Sequence, residues 1–164
     1  MRPKTILTPI FFFLLLLIDG QITRVIGTAS RGQFTALSCL LLIAFIPAVQ
    51  SFSKTYSIIL ALILGLLGDS YFIGILGIHG FLLPLAVFFL YKYRDVINTN
   101  VLSQFFGLII FITLYEVGLA LMQFLFQLAQ PNIIWFITQL LGPTLIANTI
   151  LFFLVIFPFR KIYK

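Results

Sequence analysis

The chain has 164 residues, of which 62% are hydrophobic and only 9% are charged. Because soluble domains carry about 25% charged residues, this composition excludes a soluble globular domain and indicates an integral membrane protein. The net charge of +6 comes from basic residues scattered along the chain rather than from a basic run with interleaved aromatic residues. We therefore expect no nucleic-acid partner.

The predicted architecture is a single all-α membrane domain, a six-helix transmembrane bundle over residues 1–164. A transmembrane helix needs about 20 apolar residues, so a chain of this length has room for about six spans and no separate soluble domain. The apolar runs are long and lack period-two alternation, which favours helices. In chain order, the predicted spans cover residues 5–26, 34–52, 55–76, 78–93, 101–128 and 133–157.

The first span resembles a secretory signal peptide, because Arg2 and Lys4 precede a long apolar run. Asp19 and Arg24 follow this run without a small-residue cleavage motif, so we expect an uncleaved span. Basic residues predict the orientation of the bundle, because cytoplasmic loops are enriched in Lys and Arg. Eight of the ten basic residues fall on the side of both termini, which predicts cytoplasmic termini in a cell membrane: Arg2, Lys4, Lys54, Lys92, Arg94, Arg160, Lys161 and Lys164.

Three of the four carboxylates lie in or beside the predicted spans: Asp19, Asp69 and Glu116. Ionisable groups within a bilayer are costly and usually face the bundle interior, so each needs a partner or a proton. Asp69 lies in the glycine-rich stretch GLLGDSYFIGILGIHG of residues 65–80, ten residues before His79. If the chain reverses here, the His79 ring can approach the Asp69 carboxylate.

The glycines of this stretch have two interpretations. Gly65 and Gly68 precede Asp69, and small residues on a helix face allow close helix packing. Gly77 and its neighbours can supply positive φ in a tight reversal. We favour a packed turn over a ligand site.

Glu116 is predicted either to pair with a cation from outside the subunit or to be neutral or satisfied within the bundle by Arg24, Gln or hydroxyl groups. The single cysteine, Cys39, lies in an apolar run and is interpreted as a packing residue. No nucleophile-base set, metal-ligand cluster or phosphate-binding loop is found, so we expect no enzyme activity, metal or cofactor.

Two motifs resemble the rod shape-determining MreD family. The first is the glycine-flanked Asp69 element, with Gly65, Gly77 and His79. The second lies in LLGPTLIANTILFFLVIFPFRKIYK, where a P-T-x-x-x-N pattern is followed by a proline and a basic tail. Its matching residues are Pro143, Thr144, Asn148, Pro158 and Arg160.

The resemblance implies a non-enzymatic subunit of the bacterial elongation machinery in the plasma membrane. Its implied partners are MreC, MreB, RodA and a penicillin-binding transpeptidase, which act together in lateral peptidoglycan synthesis and cell-shape control. The family is also similar in fold to the substrate-binding subunits of energy-coupling vitamin importers, which implies the same six-helix architecture.

We therefore predict a scaffold that is embedded in membrane lipid and binds the transmembrane helix of MreC. Asp69, His79 and Glu116 are its predicted polar anchors, and we expect the first two to hold the third and fourth spans in their reversal. The predicted helix-packing residues are Gly65, Gly68, Gly77, Pro143 and Asn148. The rival hypothesis is a vitamin-like solute-binding subunit with Asp19, Asp69 and His79 in an outward-facing pocket.

Overall fold

The structure, a computed structural model, describes the backbone of residues 3–73, 77–97, 99–128 and 132–163, and the side chains of residues 7–71, 77–97, 99–128 and 132–156. It is 86% helical, and the described residues contain no strand, which confirms the all-α fold class. The helices are α1 (Pro3–Ala29), α2 (Leu40–Ser51), α3 (Lys54–Gly68), α4 (Ile78–Lys92), α5 (Arg94–Ile97), α6 (Val101–Leu125), α7 (Ile133–Trp135) and α8 (Gly142–Tyr163).

Two π-helical segments extend these helices. Asp69–Ile73 continues α3, and Phe136–Leu141 joins α7 to α8. Among the described residues, three helical stretches are long and apolar enough to cross a membrane: Leu7–Ala29, Val101–Leu125 and Ile133–Ile156. Leu40–Ser51 and Ile78–Lys92 are shorter apolar helices. The protein is therefore an all-α membrane protein.

Two of the differences between the helix bounds and the predicted spans bear on the site. Helix α2 begins at Leu40, whereas the predicted second span begins at residue 34, and residues 34–39 are not helical. The regular α-helix of the third span ends at Gly68, and residues 74–76, the predicted end of that span, lie outside the described residues. At about 1.5 Å per residue, α2 is about 18 Å long, shorter than a hydrocarbon core of about 30 Å.

Helix α2 lies at the centre of the bundle. Every residue from 40 to 49 is buried, and α2 packs against α8, α1, α4 and α6. A helix that is apolar all round and buried all round is typical of a core element. This central position surrounds the amino-terminal end of α2 with protein rather than lipid.

Helices α3 and α4 form a close hairpin, and Gly65 lies where their backbones meet. A Cβ atom at Gly65 would stand 2.5 Å from the carbonyl oxygen of His79 and 2.8 Å from the Cα of Gly80. Backbone atoms cannot move aside as the end of a side chain can, so only glycine fits here. Gly68, one turn later, would place a Cβ in ordinary contact, 3.5 Å from Leu16 Cδ1.

We expect Gly65→Ala to destabilise the protein by about 1–3 kcal/mol relative to Gly68→Ala, because only the first Cβ clashes with backbone. Both changes gain the same helix propensity, so their difference isolates the clash. The measurement is the free energy of unfolding in detergent. Equal values for the two variants would contradict the close approach of α3 and α4.

Candidate functional site

The Asp69 carboxylate lies at the reversal between α3 and α4 and is 0% exposed. One oxygen, Oδ2, accepts hydrogen bonds from the backbone N–H groups of Gly77 (2.8 Å) and Gly80 (2.9 Å). The other, Oδ1, accepts from the backbone N–H of His79 (2.9 Å) and lies 2.8 Å from its ring Nδ1. Because a carboxylate accepts hydrogen bonds, this contact favours the His79 tautomer with its proton on Nδ1. Asp69 and His79 are therefore in contact, and four donors surround one carboxylate.

The local sequence explains this geometry. Gly77 has φ +113°, which L side chains rarely adopt, and it immediately precedes α4. The first N–H groups of a helix have no partner within the helix and carry partial positive charge. The Asp69 carboxylate, from the end of the preceding helix, accepts hydrogen bonds from these N–H groups. It therefore caps α4 in place of a side chain at Gly77, the N-cap residue of α4.

A second aspartate, half-buried, caps α2 in the same way. Asp19 of α1 accepts hydrogen bonds from the backbone N–H groups of Leu40 (2.8 Å) and Leu41 (2.9 Å). It also accepts one from the hydroxyl of Ser38. The sequence showed only a carboxylate near the end of the first span, since its partners lie about 20 residues away along the chain.

The P-T-x-x-x-N motif of α8 bonds to the other side of the junction between segment 34–39 and α2. The Asn148 side chain accepts from the backbone N–H of Cys39 (2.7 Å) and donates to the carbonyl of Leu37 (2.7 Å). Thr144 Oγ1 accepts from the backbone N–H of Leu37 at 3.0 Å. Because Thr144 and Asn148 are four residues apart, they share one face of the helix.

Pro143 affects this junction because it lacks a backbone N–H. A proline has no N–H to donate to the carbonyl four residues earlier, and here that carbonyl belongs to Gln139. The Gln139 oxygen accepts instead from the backbone N–H of Thr35, at 2.9 Å. Asn148 therefore bonds to segment 34–39 directly, and the Gln139 carbonyl, to which Pro143 cannot donate, bonds to the same segment.

Segment 34–39 is therefore held by hydrogen bonds from α1 on one side and α8 on the other. Non-helical backbone at membrane depth is tolerated only where protein or water satisfies its polar groups. Here α1 supplies Asp19 and Thr23, whose Oγ1 accepts from Ser38 N–H at 3.0 Å, and α8 supplies Thr144 and Asn148. This segment extends the short helix α2 toward the length needed to cross a bilayer.

A cavity of about 370 Å³ lies beside this junction, between α1, α3, α4 and α6. Leucines form much of its wall, together with the backbone of Gly65 and Gly68. Besides the Cys39 thiol, its polar lining comes from eight side chains: Asp19, Thr23, Arg24, Ser38, His79, Tyr115, Glu116 and Gln123. Of the three residues predicted for an outward-facing pocket, Asp19 and His79 line this cavity, whereas Asp69 is not among its lining residues.

Glu116 is the exceptional group in this cavity. It is 1% exposed, and neither carboxylate oxygen has a hydrogen-bond partner among the residues that the structure describes. Arg24 and Gln123 line the same cavity but make no hydrogen bond to Glu116. The predicted internal pairing of Glu116 is thus not seen in the described part of the chain.

The remaining chemistry is sparse. Within the described ranges, no group of three or more His, Cys, Asp or Glu side chains could hold a metal ion. Cys39 is a buried free thiol at the start of α2. Asp19, Thr23, Asp69, Thr144 and Asn148 therefore act as hydrogen-bond partners of backbone, whereas Glu116 has no partner among the described residues.

Comparison with known proteins agrees with the resemblance of the two motifs. The model of the rod shape-determining protein MreD family matches residues 2–164. The chain is also 29% identical over 147 residues to the cell shape-determining protein MreD of Streptococcus pneumoniae, covering 90% of this chain and 89% of that protein. No solved structure matches. The chain therefore belongs to the MreD family of rod shape-determining proteins, multi-pass membrane proteins that determine cell shape.

Proposed function

We propose that this protein is a non-enzymatic scaffold subunit of the bacterial rod complex and binds the transmembrane helix of MreC. Through MreC it would hold MreB, RodA and a penicillin-binding transpeptidase in one assembly for lateral peptidoglycan synthesis. Family membership supports a role in cell shape, and the resemblance to MreD supports these partners. The structural observation that carries the proposal is an apolar groove between α4 and α6.

This α4–α6 groove has a volume of about 720 Å³. Its wall on α6 is formed by Phe106, Ile110 and Leu114, and its wall on α4 includes Leu85 and Phe89. All five side chains are exposed in the isolated chain. Between helices in lipid, association depends on close packing rather than on removal from water, so a groove already shaped by two helices favours a third.

Two glycines of α6 let side chains of α5 and α4 pack close against α6 beside the groove. Gly107 and Gly118 both line it. The nearest atoms to a Cβ at these positions would be side-chain atoms of Ile97 (3.0 Å) and Leu82 (2.8 Å). Small residues let neighbouring backbones approach, which is the usual basis of helix pairing in membranes.

We expect Ile110→Trp to reduce the amount of MreC that co-purifies with the protein by about tenfold or more, because the indole would fill the groove. The matched control is Ile150→Trp on α8, since Ile110 and Ile150 are each 57% exposed. The measurement is affinity purification from the native membrane with quantitative mass spectrometry. Equal loss of MreC in both variants, or no loss in either, would contradict binding at this groove.

A small-solute-binding subunit of the energy-coupling importer type is the second candidate, and the polar cavity beside Glu116 is the observation that favours it. The same purification separates the two. An ATPase module recovered in place of MreC would support the importer function and oppose the scaffold.

A further inference from the structure

We propose that the cavity beside α2 binds a small apolar organic cation whose N–H groups donate to the Glu116 carboxylate. The proposal does not depend on MreC binding, because the cavity and the α4–α6 groove have different linings apart from Tyr115.

The three membrane carboxylates differ in what surrounds them. Asp69 faces four donors and Asp19 faces three. Glu116 faces none among the described residues, although it is as deeply buried as Asp69. A buried acceptor without a donor is costly in a low-dielectric interior. Within the described part of the chain, the carboxylate of Glu116 is therefore a free acceptor in this cavity.

The rest of the lining defines the body of the ligand. Leu16, Leu41, Leu64, Leu83 and Leu119 form an apolar wall. Sites for small organic molecules are mostly apolar, with a few polar groups that fix orientation, and have volumes of about 300–1,000 Å³. A cavity of about 370 Å³ is at the small end of that range, so a single ring or a short alkyl chain fits it.

Aromatic side chains favour a cation over a neutral donor. Tyr115 and His79 both line the cavity, with their ring centroids 6.1 Å apart. The face of a tyrosine ring attracts an ammonium group within about 6 Å. A hard metal ion is a poorer match, because such ions take six or more oxygen ligands and the Asp19 oxygens are already used by backbone donors.

Arg24 is the internal competitor for Glu116. It lines the same cavity but is exposed. If Arg24 turned inward, it would neutralise Glu116 and displace a ligand. The Arg24→Gln variant therefore separates an external cation from an internal one.

The test is calorimetric titration of the full chain in a non-ionic detergent with 2-phenylethylammonium, and with 2-phenylethanol as the uncharged comparison. We expect the amine to bind and Glu116→Gln to weaken binding about tenfold or more, because hydrogen bonds to charged groups are strong and the amide is isosteric. Asp95→Asn, whose carboxylate is 90% exposed, should leave the affinity unchanged.

Three results would overturn the proposal: no binding to the wild-type chain at millimolar amine, equal binding of the alcohol, or unchanged affinity of Glu116→Gln. Binding seen only in Arg24→Gln would also overturn it, in favour of Arg24 as the partner of Glu116.

A second measurement on the wild-type chain avoids dependence on folded variants. Dicyclohexylcarbodiimide, an apolar reagent for carboxyl groups, should modify Glu116 but not Asp19 or Asp69, and the amine should protect Glu116. Modification of Glu116 that the amine does not slow would overturn the proposal.

Discussion

Asp69→Asn is expected to destabilise the protein by about 2–6 kcal/mol. An asparagine keeps the volume of Asp69, but its single carbonyl oxygen can accept only about half of the four hydrogen bonds made in the wild type. Two buried donors at the start of α4 would lose their acceptor, and each unsatisfied buried group costs about 1–3 kcal/mol. The free energy of unfolding, measured by SDS titration in mixed micelles, checks this value.

Asp95→Asn is the matched control for this change. Asp95 lies beside Arg94 with its side chain 90% exposed, so its substitution should alter stability by no more than about 0.5 kcal/mol. His79→Gln should fall between the two, because it removes only the ring contact with Asp69. If Asp69→Asn retained wild-type stability, Asp69 would not be the cap that holds the α3–α4 reversal.

Asn148→Leu is expected to cause a loss of similar size, about 2–6 kcal/mol, where segment 34–39 bonds to α8. The leucine would fill the space of Asn148 but leave the N–H of Cys39 and the carbonyl of Leu37 without their partner, at about 1–3 kcal/mol each. The chain has one cysteine, and its thiol is buried at this junction. The rate of Cys39 alkylation by a maleimide should therefore rise strongly in the variant.

The control for Asn148→Leu is Thr113→Val. Thr113 Oγ1 donates to the Ile109 carbonyl of its own helix at 2.8 Å, so its loss leaves no backbone group of another segment unpaired. We expect alkylation of Cys39 to stay at the wild-type rate there. If Cys39 in Asn148→Leu were alkylated as slowly as in the wild type, the conformation of segment 34–39 would not depend on α8.

The helices could be predicted from the sequence because each follows from a long apolar run, a local property. Segment 34–39 could not, since FTALSCLLLIAF is apolar except for Thr35 and Ser38 and its hydropathy is that of a single span. Its conformation depends on partners far along the chain: Cys39 bonds to Asn148 at a separation of 109 residues. Hydropathy contains no information about such pairs.

The carboxylates also differ in whether their surroundings follow from local sequence or from contacts far along the chain. The approach of His79 to Asp69 could be anticipated, because ten residues and several glycines separate them and a reversal brings them together. The capping role of Asp19 could not, because it needs the position of α2. That Glu116 has no partner among the described residues depends on the positions of α1 and α6 around the cavity, which no local pattern specifies.

The most direct test of the scaffold function is photocross-linking in the living cell with a benzoylphenylalanine placed at position 110 or 150. Because Ile110 and Ile150 are equally exposed in the isolated chain, a difference between them reports a bound partner. We predict a cross-link to the transmembrane segment of MreC from position 110 and none from position 150. A cross-link to MreC from position 150 alone, or from neither position, would contradict the proposed binding of MreC at the α4–α6 groove.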